Sequence, residues 1–272
     1  MNGEPNPILV DVDWLHQQGA RVRVLDVRLL SRYVRGHIPG ALHFDLDLVV
    51  RDNGHFSVAS ADLLHDLLEE YGITPDMTVV VYDHDNGFNA ARLFWTLEYA
   101  GHTNVRLLDG GMHTWKREGY PLSLTVPNVE RVTYPPIEID HSRRVDGAWI
   151  KQYLDDEALT LIDTRTVEEF TGEHIFSMYG GHIPGALHIN WQKNFYGGKY
   201  LNQAELARLY AQVPRTNQIV TYCQVGYRAA ATYVALRALG YPYVALYDDS
   251  WSEWGDHDDY PLAAAAWGDA GA

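Results

Sequence analysis

Short hydrophobic runs alternate with amphipathic stretches along most of the chain. In the second half, residues 158–163, 219–222 and 244–247 are runs rich in aliphatic, β-branched and aromatic side chains. Runs of this length and composition are typical of strands that are buried on both faces. We therefore predict three strands of one sheet at these positions.

The stretches between these runs have the spacing of helices. Residues 167–171 begin a helix after the first run, and residues 204–211 repeat large apolar side chains one turn apart. Residues 228–239 are rich in alanine and stop at Gly240, a common end for a helix. Strands that alternate with helices predict an α/β fold with a mostly parallel sheet and helices on both faces. Ligands of such sheets bind beyond the carboxyl ends of the strands.

The chain contains the same set of segments twice and in the same order. Each copy holds a short strand-like run that ends in Asp-x-Arg, the octapeptide GHIPGALH, a strand-helix-strand segment and a closing Tyr-Pro-Leu. These segments occupy residues 24–28, 36–43, 78–111 and 119–123 in the first copy and residues 161–165, 181–188, 218–250 and 259–263 in the second. The separation of 137–145 residues indicates two tandem domains rather than a solenoid of short repeats.

A segment that contains Pro127 and the pair Pro135-Pro136 lies between the two copies. Proline fixes φ and removes a backbone donor, so we expect an extended linker here. A length of 272 residues suits two domains with one core each. The predicted division is a first domain at 1–125, a linker at 126–144 and a second domain at 145–272.

Composition and charge restrict the partners of the chain. The formal net charge of −15 argues against nucleic acid and anionic membranes, which need a basic surface, but leaves room for a small anionic substrate. No window is apolar enough to span a membrane, and the first residues lack the pattern of a secretory signal. One cysteine cannot form an internal disulfide, so we expect a cytoplasmic protein, and we expect it to be a monomer.

The one cysteine, Cys223, stands where a predicted strand gives way to a predicted helix. Backbone N–H groups at the start of a helix lack partners, and the helix dipole is positive there. A ring of such donors would favour a thiolate and would stabilise a negatively charged adduct on the sulfur. The residues of this predicted anion-binding loop are Cys223, Gln224, Val225, Gly226, Tyr227 and Arg228.

The first copy of the repeat shows that the fold does not need a thiol at this position. A buried small side chain is the commonest role of a free cysteine. The equivalent position of the first copy, however, holds Asp83. We therefore expect an exposed strand end rather than a core position, and a catalytic role for Cys223.

With these motifs the chain resembles the tandem-domain rhodaneses, or sulfurtransferases. The two GHIPGAL segments, the pairs Asp26–Arg28 and Asp163–Arg165, and the cysteine loop carry the resemblance, which covers nearly the whole chain. It implies two rhodanese-like domains, of which the first is inactive. It also implies that the Cys223 thiolate takes the sulfane sulfur of a donor, commonly thiosulfate, and passes it from a persulfide to cyanide or a thiol. Neither the resemblance nor the sequence indicates a metal or an organic cofactor, because no Cys/His ligand cluster is present.

The length and composition of the cysteine loop distinguish between the activities known for this fold. Phosphatases of this fold place five residues between the cysteine and the arginine, whereas four lie between Cys223 and Arg228, so a phosphatase is disfavoured. Gln224-Val225 matches neither the basic residues of thiosulfate-type members nor the small residues of 3-mercaptopyruvate-type members. The favoured donor is thiosulfate. A 3-mercaptopyruvate sulfurtransferase and a sulfur- or redox-sensing module without turnover are the alternatives.

Arginines are the candidate contacts for the anionic donor. Several tandem enzymes have an arginine shortly after the Asp-x-Arg pair, but Glu168 and Glu169 stand there in this chain. This difference leaves Arg165 and Arg228 as the predicted substrate contacts.

Four further features have both a structural and a functional interpretation. Asp163 anchors a turn through Arg165 or lines the site, and Trp191 lines the mouth of the site or belongs to the core. We expect His182 to fix its loop, because His37 takes the same place in the inactive copy. The acidic run at 247–261 predicts a solvated helix and turn rather than a metal site.

Overall fold

The computed structural model describes residues 8–50, 56–84 and 86–263. It contains two five-stranded parallel sheets, one in each half of the chain, flanked by helices. Both sheets have the same strand order, as the duplicated segments require. None of the helices in these ranges is both long and apolar enough to cross a membrane.

The first sheet has the strand order β1-β5-β4-β2-β3. Its strands are β1 (Leu9–Val10), β2 (Arg23–Asp26), β3 (Leu42–His43), β4 (Val79–Tyr82) and β5 (Val105–Leu108). The helices of this half are α1 (Val12–Gln18), α2 (Leu30–Tyr33), α3 (Ala61–Glu70), α4 (Phe88–Tyr99) and α5 (Gly111–Arg117), with 3-10 turns at Gly19–Arg21 and Leu46–Val49.

The second sheet has the strand order β6-β12-β11-β7-β8, and an antiparallel hairpin of β9 and β10 lies outside it. The strands are β6 (Arg144–Val145), β7 (Leu159–Asp163), β8 (Leu187–His188), β9 (Phe195–Tyr196), β10 (Lys199–Tyr200), β11 (Gln218–Tyr222) and β12 (Val244–Tyr247). The helices are α6 (Gly147–Gln152), α7 (Val167–Thr171), α8 (Gln203–Leu209), α9 (Tyr227–Ala238) and α10 (Ser250–Trp254), with 3-10 turns at His141–Arg143 and Trp191–Asn194.

These elements confirm the α/β fold expected from the sequence. The strands and helices predicted in the second half end within two residues of the observed ones. The central strands β7, β11 and β12 are apolar because both faces of the sheet are covered by helices. Tyr222, at the end of β11, pairs with Asp163 at the end of β7, so the residues that follow both strands meet at one edge.

The segment between the domains is extended, as its prolines suggest. Residues 126–140 form no helix or strand, and Arg131 pairs with Asp66 and Glu69 of α3. The sheet of the second domain already begins at Arg144, which the sequence assigns to the linker, because β6 pairs with β12.

The two domains meet through α4 and α9, and one hydrophobic core runs through both. Every residue of α9 from 229 to 236 is buried. The small alanine side chains of α9 allow α4 to pack closely against it. At the edge of this contact, the Tyr233 hydroxyl donates to Glu98 Oε2 (2.6 Å) and Arg237 pairs with the same carboxylate (3.1 Å). The loop that precedes α9 therefore lies at the domain boundary.

Candidate active site

Cys223 lies at the carboxyl end of β11, in the loop that leads into α9. Gly226 has a φ of +81° and caps the helix, so the chain turns sharply between the strand and the helix. The cysteine is 1% exposed and belongs to the core between the domains. The expectation of an exposed position is wrong for both copies, since Asp83 is also only 5% exposed.

Backbone hydrogen bonds hold the sulfur and the loop in place. The N–H of Gly226 donates to Cys223 Sγ (3.1 Å). The N–H of Cys223 donates to Ser250 Oγ (3.1 Å), and the N–H of Trp251 donates to the Cys223 carbonyl (3.0 Å). The start of α10 thus positions the cysteine backbone, while the start of α9 binds its sulfur.

Ser250 is a residue of this site that the sequence did not identify. It has a φ of +56°, a left-handed conformation in which the equivalent residue of the first copy is Gly111, with a φ of +49°. A non-glycine residue in this region carries strain of about 1–2 kcal/mol. Comparison of the two copies could have identified Ser250, because a serine replaces a glycine just after the strand that neighbours the cysteine strand.

The first copy shows how this loop binds a negative charge. Asp83 Oδ1 accepts the N–H of Gly87 (3.0 Å), and Oδ2 accepts those of Asn89 (3.1 Å) and Ala90 (3.3 Å). The equivalent donors of the second copy are the N–H groups of Gly226, Arg228 and Ala229. A carboxylate can be buried in the first copy because these backbone donors satisfy it.

A cavity of about 320 Å³ opens beside the cysteine loop. Among its described lining residues, Arg228 carries the permanent positive charge. The lining residues are Thr166, Glu169, His174, Phe176, Gln224 and Arg228. His174 and Phe176 come from a segment that is longer in the second copy, where 17 positions separate Arg165 from His182 against 9 between Arg28 and His37. The greater length of this segment in the second copy is the feature of the sequence that could have pointed to His174 and Phe176.

The charge of Arg228 is matched inside the protein. Its Nη1 and Nη2 donate to the two carboxylate oxygens of Glu169 (2.6 and 2.7 Å). Burial opposes the charge of Arg228, but Glu169 and the Cys223 sulfur outweigh it and hold the arginine's pKa above its usual value. Burial also opposes ionisation of Glu169, yet Arg228 and the N–H of Thr166 lower the pKa of that carboxyl. The pair is therefore ionised at neutral pH.

Arg165 and Asp163 lie inside the protein rather than in the cavity lining. The Arg165 guanidinium is 2% exposed; its Nε and Nη2 donate to the Asp163 carboxylate, and Nη2 also donates to the Gly181 carbonyl (2.6 Å). Arg28 makes the same contacts with Asp26 and Gly36 in the first copy. We therefore assign this pair to holding the loop that begins at Gly181, and Arg228 alone remains as a candidate anion contact.

The structure shows what three other residues singled out in the sequence contact. Trp191 is 9% exposed and packs on Phe88 of the first domain (5.3 Å between ring centroids) rather than on the described cavity lining. His182 Nδ1 lies 2.9 Å from the Phe170 carbonyl and its ring stacks on Phe170, which fits a role in fixing its loop. Gln224 Nε2 donates to Ser177 Oγ (3.0 Å) and ties the cysteine loop to the longer segment.

The acidic run at 247–261 is solvated only in part: Asp256, Asp258 and Asp259 are exposed as expected, but its first two aspartates are buried. Asp248 and Asp249 are 0% and 5% exposed, because they face the domain boundary and bind Arg144 (2.8 and 3.1 Å). Within the described ranges, one group of His and carboxylate side chains lies close enough together to share a metal ion: His65, Asp66 and Glu69 of α3. Arg131 already pairs with both of these carboxylates.

The fold and the site together define a class: a tandem α/β protein with one cysteine on a backbone anion-binding loop and a carboxylate in the duplicate loop. The profile of the rhodanese-like domain matches residues 11–118 and 146–257. The chain belongs to the rhodanese family, which confirms the resemblance seen in its motifs.

Known relatives cover most of the chain. A Thermus thermophilus protein named sulfur carrier protein TtuD is 36% identical over 94% of this chain and 96% of its own length. A thiosulfate sulfurtransferase of Corynebacterium glutamicum is 36% identical over 85% of this chain and 80% of its own. Among solved structures, YnjE superposes with a TM-score of 0.87 at 27% identity and covers 95% of this chain and 68% of its own. An EanB variant in complex with ergothioneine has a TM-score of 0.84 at 25% identity, covering 95% and 70%.

Proposed function

We propose that this chain is a sulfurtransferase that moves sulfane sulfur from thiosulfate to a thiophilic acceptor, cyanide or a thiol, through a persulfide on Cys223. The observation that carries the proposal is the pair of matching loops. In one loop a backbone N–H donates to the Cys223 sulfur, and in its duplicate the equivalent donors bind the Asp83 carboxylate. Membership of the rhodanese family and the names of its relatives support sulfur as the group transferred.

The proposed reaction has two displacement steps. In the first, a lone pair of the Cys223 thiolate attacks the sulfane sulfur of thiosulfate. The new S–S bond forms while the bond to the sulfonate sulfur breaks, and sulfite leaves with that electron pair. In the second, the acceptor attacks the terminal sulfur of the persulfide. The S–S bond breaks, its electron pair returns to Cys223 as thiolate, and thiocyanate or a new persulfide leaves.

The loop supplies the electrostatic part of this reaction. The terminal sulfur of the persulfide carries the negative charge that the carboxylate of Asp83 carries in the first copy. By analogy with Asp83, the N–H groups of Gly226, Arg228 and Ala229 receive that charge. Donors that are fixed before the reaction stabilise the charge without a further cost of reorganisation.

Glu169 weakens the attraction of the site for a dianion, and its replacement tests this. Glu169→Gln removes the negative charge that neutralises Arg228, so we expect the KM for thiosulfate to fall by about threefold to tenfold, the effect of about 1 kcal/mol of added attraction. Loss of the buried ion pair will at the same time lower the free energy of unfolding by about 1–3 kcal/mol. Steady-state kinetics and urea denaturation measure the two effects.

Glu168→Gln is the matched control for that experiment. Glu168 is the neighbouring glutamate of α7, is not among the residues that line the cavity, and makes no ion pair in the described part of the chain. We expect its KM for thiosulfate and its stability to stay close to those of the wild type. A rise in KM for Glu169→Gln would show that the glutamate helps rather than hinders the donor.

The donor is tested by kcat/KM for thiosulfate and for 3-mercaptopyruvate with cyanide as the common acceptor. We expect thiosulfate to be preferred, because its sulfonate can accept from Arg228 and the loop donors. A preference for 3-mercaptopyruvate by more than about tenfold, or about 1.4 kcal/mol in transition-state binding, would overturn the choice of donor. No turnover with either donor would favour a sensing module instead.

The residues at the mouth of the cavity help to distinguish between cyanide and a larger thiol as the acceptor. Phe176, which lines the cavity, is 68% exposed, and its neighbours in the chain Ile175 and Met178 are 57% and 63% exposed. Such an apolar rim suits a thiol on a larger molecule better than it suits cyanide. We further propose a cytoplasmic location, which fits a chain with one cysteine and no disulfide.

A further inference from the structure

Arg92 belongs to α4 of the first domain but lies directly behind the cysteine loop of the second. A Cβ atom placed on Gly226 would stand only 2.3 Å from Arg92 Nη1. Gly226 is the residue whose N–H donates to Cys223 Sγ. The Arg92 side chain is 0% exposed, so it is shielded from bulk solvent.

Among the described residues, Arg92 has one carboxylate within 4 Å, and it shares that carboxylate with Arg144. Nη2 donates to the Phe56 carbonyl (2.8 Å), and the Asp248 carboxylate is 3.8 Å away. The rings of Trp95 and Tyr227 lie 4.9 and 5.4 Å from the guanidinium carbon. Nε and Nη1 have no hydrogen-bond partner among residues 8–50, 56–84 and 86–263. A buried cation with unpaired donors is destabilising, so its presence beside the loop calls for a compensating function.

The nearby carboxylates are largely engaged by another arginine. Arg144 donates from Nε to Asp248 (2.8 Å) and from Nη2 to Asp249 (3.1 Å). Asp248 also accepts the N–H of Val58 (2.7 Å). Burial lowers the pKa of Arg92, while Asp248, Tyr227 and Cys223 act in the opposite direction. Gly226 lies against Arg92 Nη1 and donates its N–H to Cys223 Sγ, so a single loop residue separates the guanidinium from the sulfur.

The duplicate loop lacks this arrangement. Arg92 stands five residues after Gly87 in α4, and the residue five positions after Gly226 in α9 is Ala231. In the first copy a Cβ on Gly87 would meet Leu107 (3.3 Å) and the Cε2 of Tyr200 (3.6 Å), whose hydroxyl donates to the Ala231 carbonyl. A cation thus lies behind the loop that holds the cysteine, whereas an uncharged phenol lies behind the loop that holds Asp83.

We propose that Arg92 is a positioning residue of the active site, supplied across the domain boundary by the domain without a cysteine. Its buried guanidinium supports the turn at Gly226 and provides the positive potential that stabilises negative charge on the Cys223 sulfur. The effect on the persulfide rests on the proposed function, whereas the effect on the thiolate does not. The first domain thereby contributes to a reaction whose nucleophile it lacks.

The test compares Arg92→Met with Arg92→Lys and with the wild type. Because Cys223 is the only cysteine, the rate of its alkylation by iodoacetamide at pH 7 reports on one sulfur. We expect Arg92→Met to lower that rate by about tenfold, which corresponds to about 1.4 kcal/mol, and to shorten the lifetime of the persulfide by a similar factor. Arg92→Lys places an amine that Asp248 can hold protonated, and we expect it to retain more of the wild-type alkylation rate than Arg92→Met does.

Arg106→Met is the matched control. Arg106 is another arginine of the first domain that is 3% exposed and has an unpartnered Nε, but it lies in β5 and its guanidinium contacts Val105 and Asn104. We expect this variant to change stability without changing alkylation. If Arg92→Met alkylates and keeps its persulfide like the wild type while only its unfolding midpoint falls, Arg92 is merely structural and the proposal is overturned.

A double variant keeps the proposal testable if Arg92→Met does not fold. Arg92→Met combined with Asp248→Asn removes two opposite charges together, so the net charge of the buried cluster is unchanged and Asp249 still pairs with Arg144. The same tenfold loss is expected, and a folded double variant with wild-type alkylation overturns the proposal. If the wild type gains no sulfur from any donor while Arg92→Met still alkylates tenfold more slowly, the proposed function fails and the role of Arg92 at the sulfur stands.

Discussion

Cys223→Ser will leave the protein folded and unable to take up sulfur. A serine hydroxyl is not ionised at neutral pH and forms no persulfide, so we expect turnover to fall by at least about a thousandfold. Incubation of the wild type with thiosulfate will add about 32 Da, the mass of one sulfur atom, to the intact protein. Intact-mass spectrometry measures this gain, and Cys223→Ser will show none.

The single thiol makes this result easy to assign. Because no other cysteine is present, an added sulfur in the wild type can be placed on Cys223 without peptide mapping. Urea denaturation is the control, and we expect the free energy of unfolding of Cys223→Ser to change by about 1 kcal/mol or less, since the two side chains differ little in size. Equal uptake of sulfur by the variant would remove Cys223 from the mechanism.

Gly226→Ala will change the geometry of the cysteine loop while it leaves the thiol of Cys223 in place. The added Cβ would lie 2.3 Å from Arg92 Nη1 and 2.6 Å from the Asp248 carbonyl oxygen, which is backbone and cannot yield easily. The residue also has a φ of +81°, which alanine rarely adopts. The loop must shift, and its N–H donor will leave the sulfur. We expect kcat/KM to fall by about a hundredfold, as loss of a fixed donor does.

Gly185→Ala is the matched control for this variant. Gly185 has a φ of +78°, and a Cβ placed there meets nothing within 4 Å. It will therefore lower the free energy of unfolding by about 1 kcal/mol through backbone strain alone and leave kcat/KM unchanged. Steady-state kinetics with urea denaturation compares the two. Equal losses of activity in both variants would mean that strain, not the position of the loop, explains the effect of Gly226→Ala.

Comparison of the two copies within the chain was the strongest source of prediction. It predicted the tandem fold, which the structure confirms, and it favoured a functional role for the cysteine loop and a structural role for His182, because each statement could be compared with a second position. It failed on exposure, since Asp83 suggested an exposed position. The structure shows instead that backbone donors allow both Asp83 and Cys223 to be buried. Every residue except proline carries a backbone N–H donor, so hydrogen bonds from these groups cannot be predicted from the pattern of residue types.

Charge pairing was harder to predict than fold. The sequence offered Arg165 and Arg228 as equivalent cations, but Arg165 is enclosed with Asp163 and Arg228 is paired with Glu169. Thr166 and Glu169 have the spacing of a capping box, which places Glu169 in the first turn of α7. Nothing in that local pattern indicates that its carboxylate meets Arg228, 59 residues further along the chain.

By itself, the sequence determined the α/β architecture and the duplication, and it singled out Cys223 and its loop as the candidate site, because periodicity, turn residues and repeated motifs can be read directly along the chain. Only the tertiary structure decided which cations face the sulfur, how Ser250 holds the cysteine backbone and why Arg92 lies in the site of the other domain. These contacts join residues that are far apart in the chain and in different domains. Their energies depend on burial and distance, which packing alone sets.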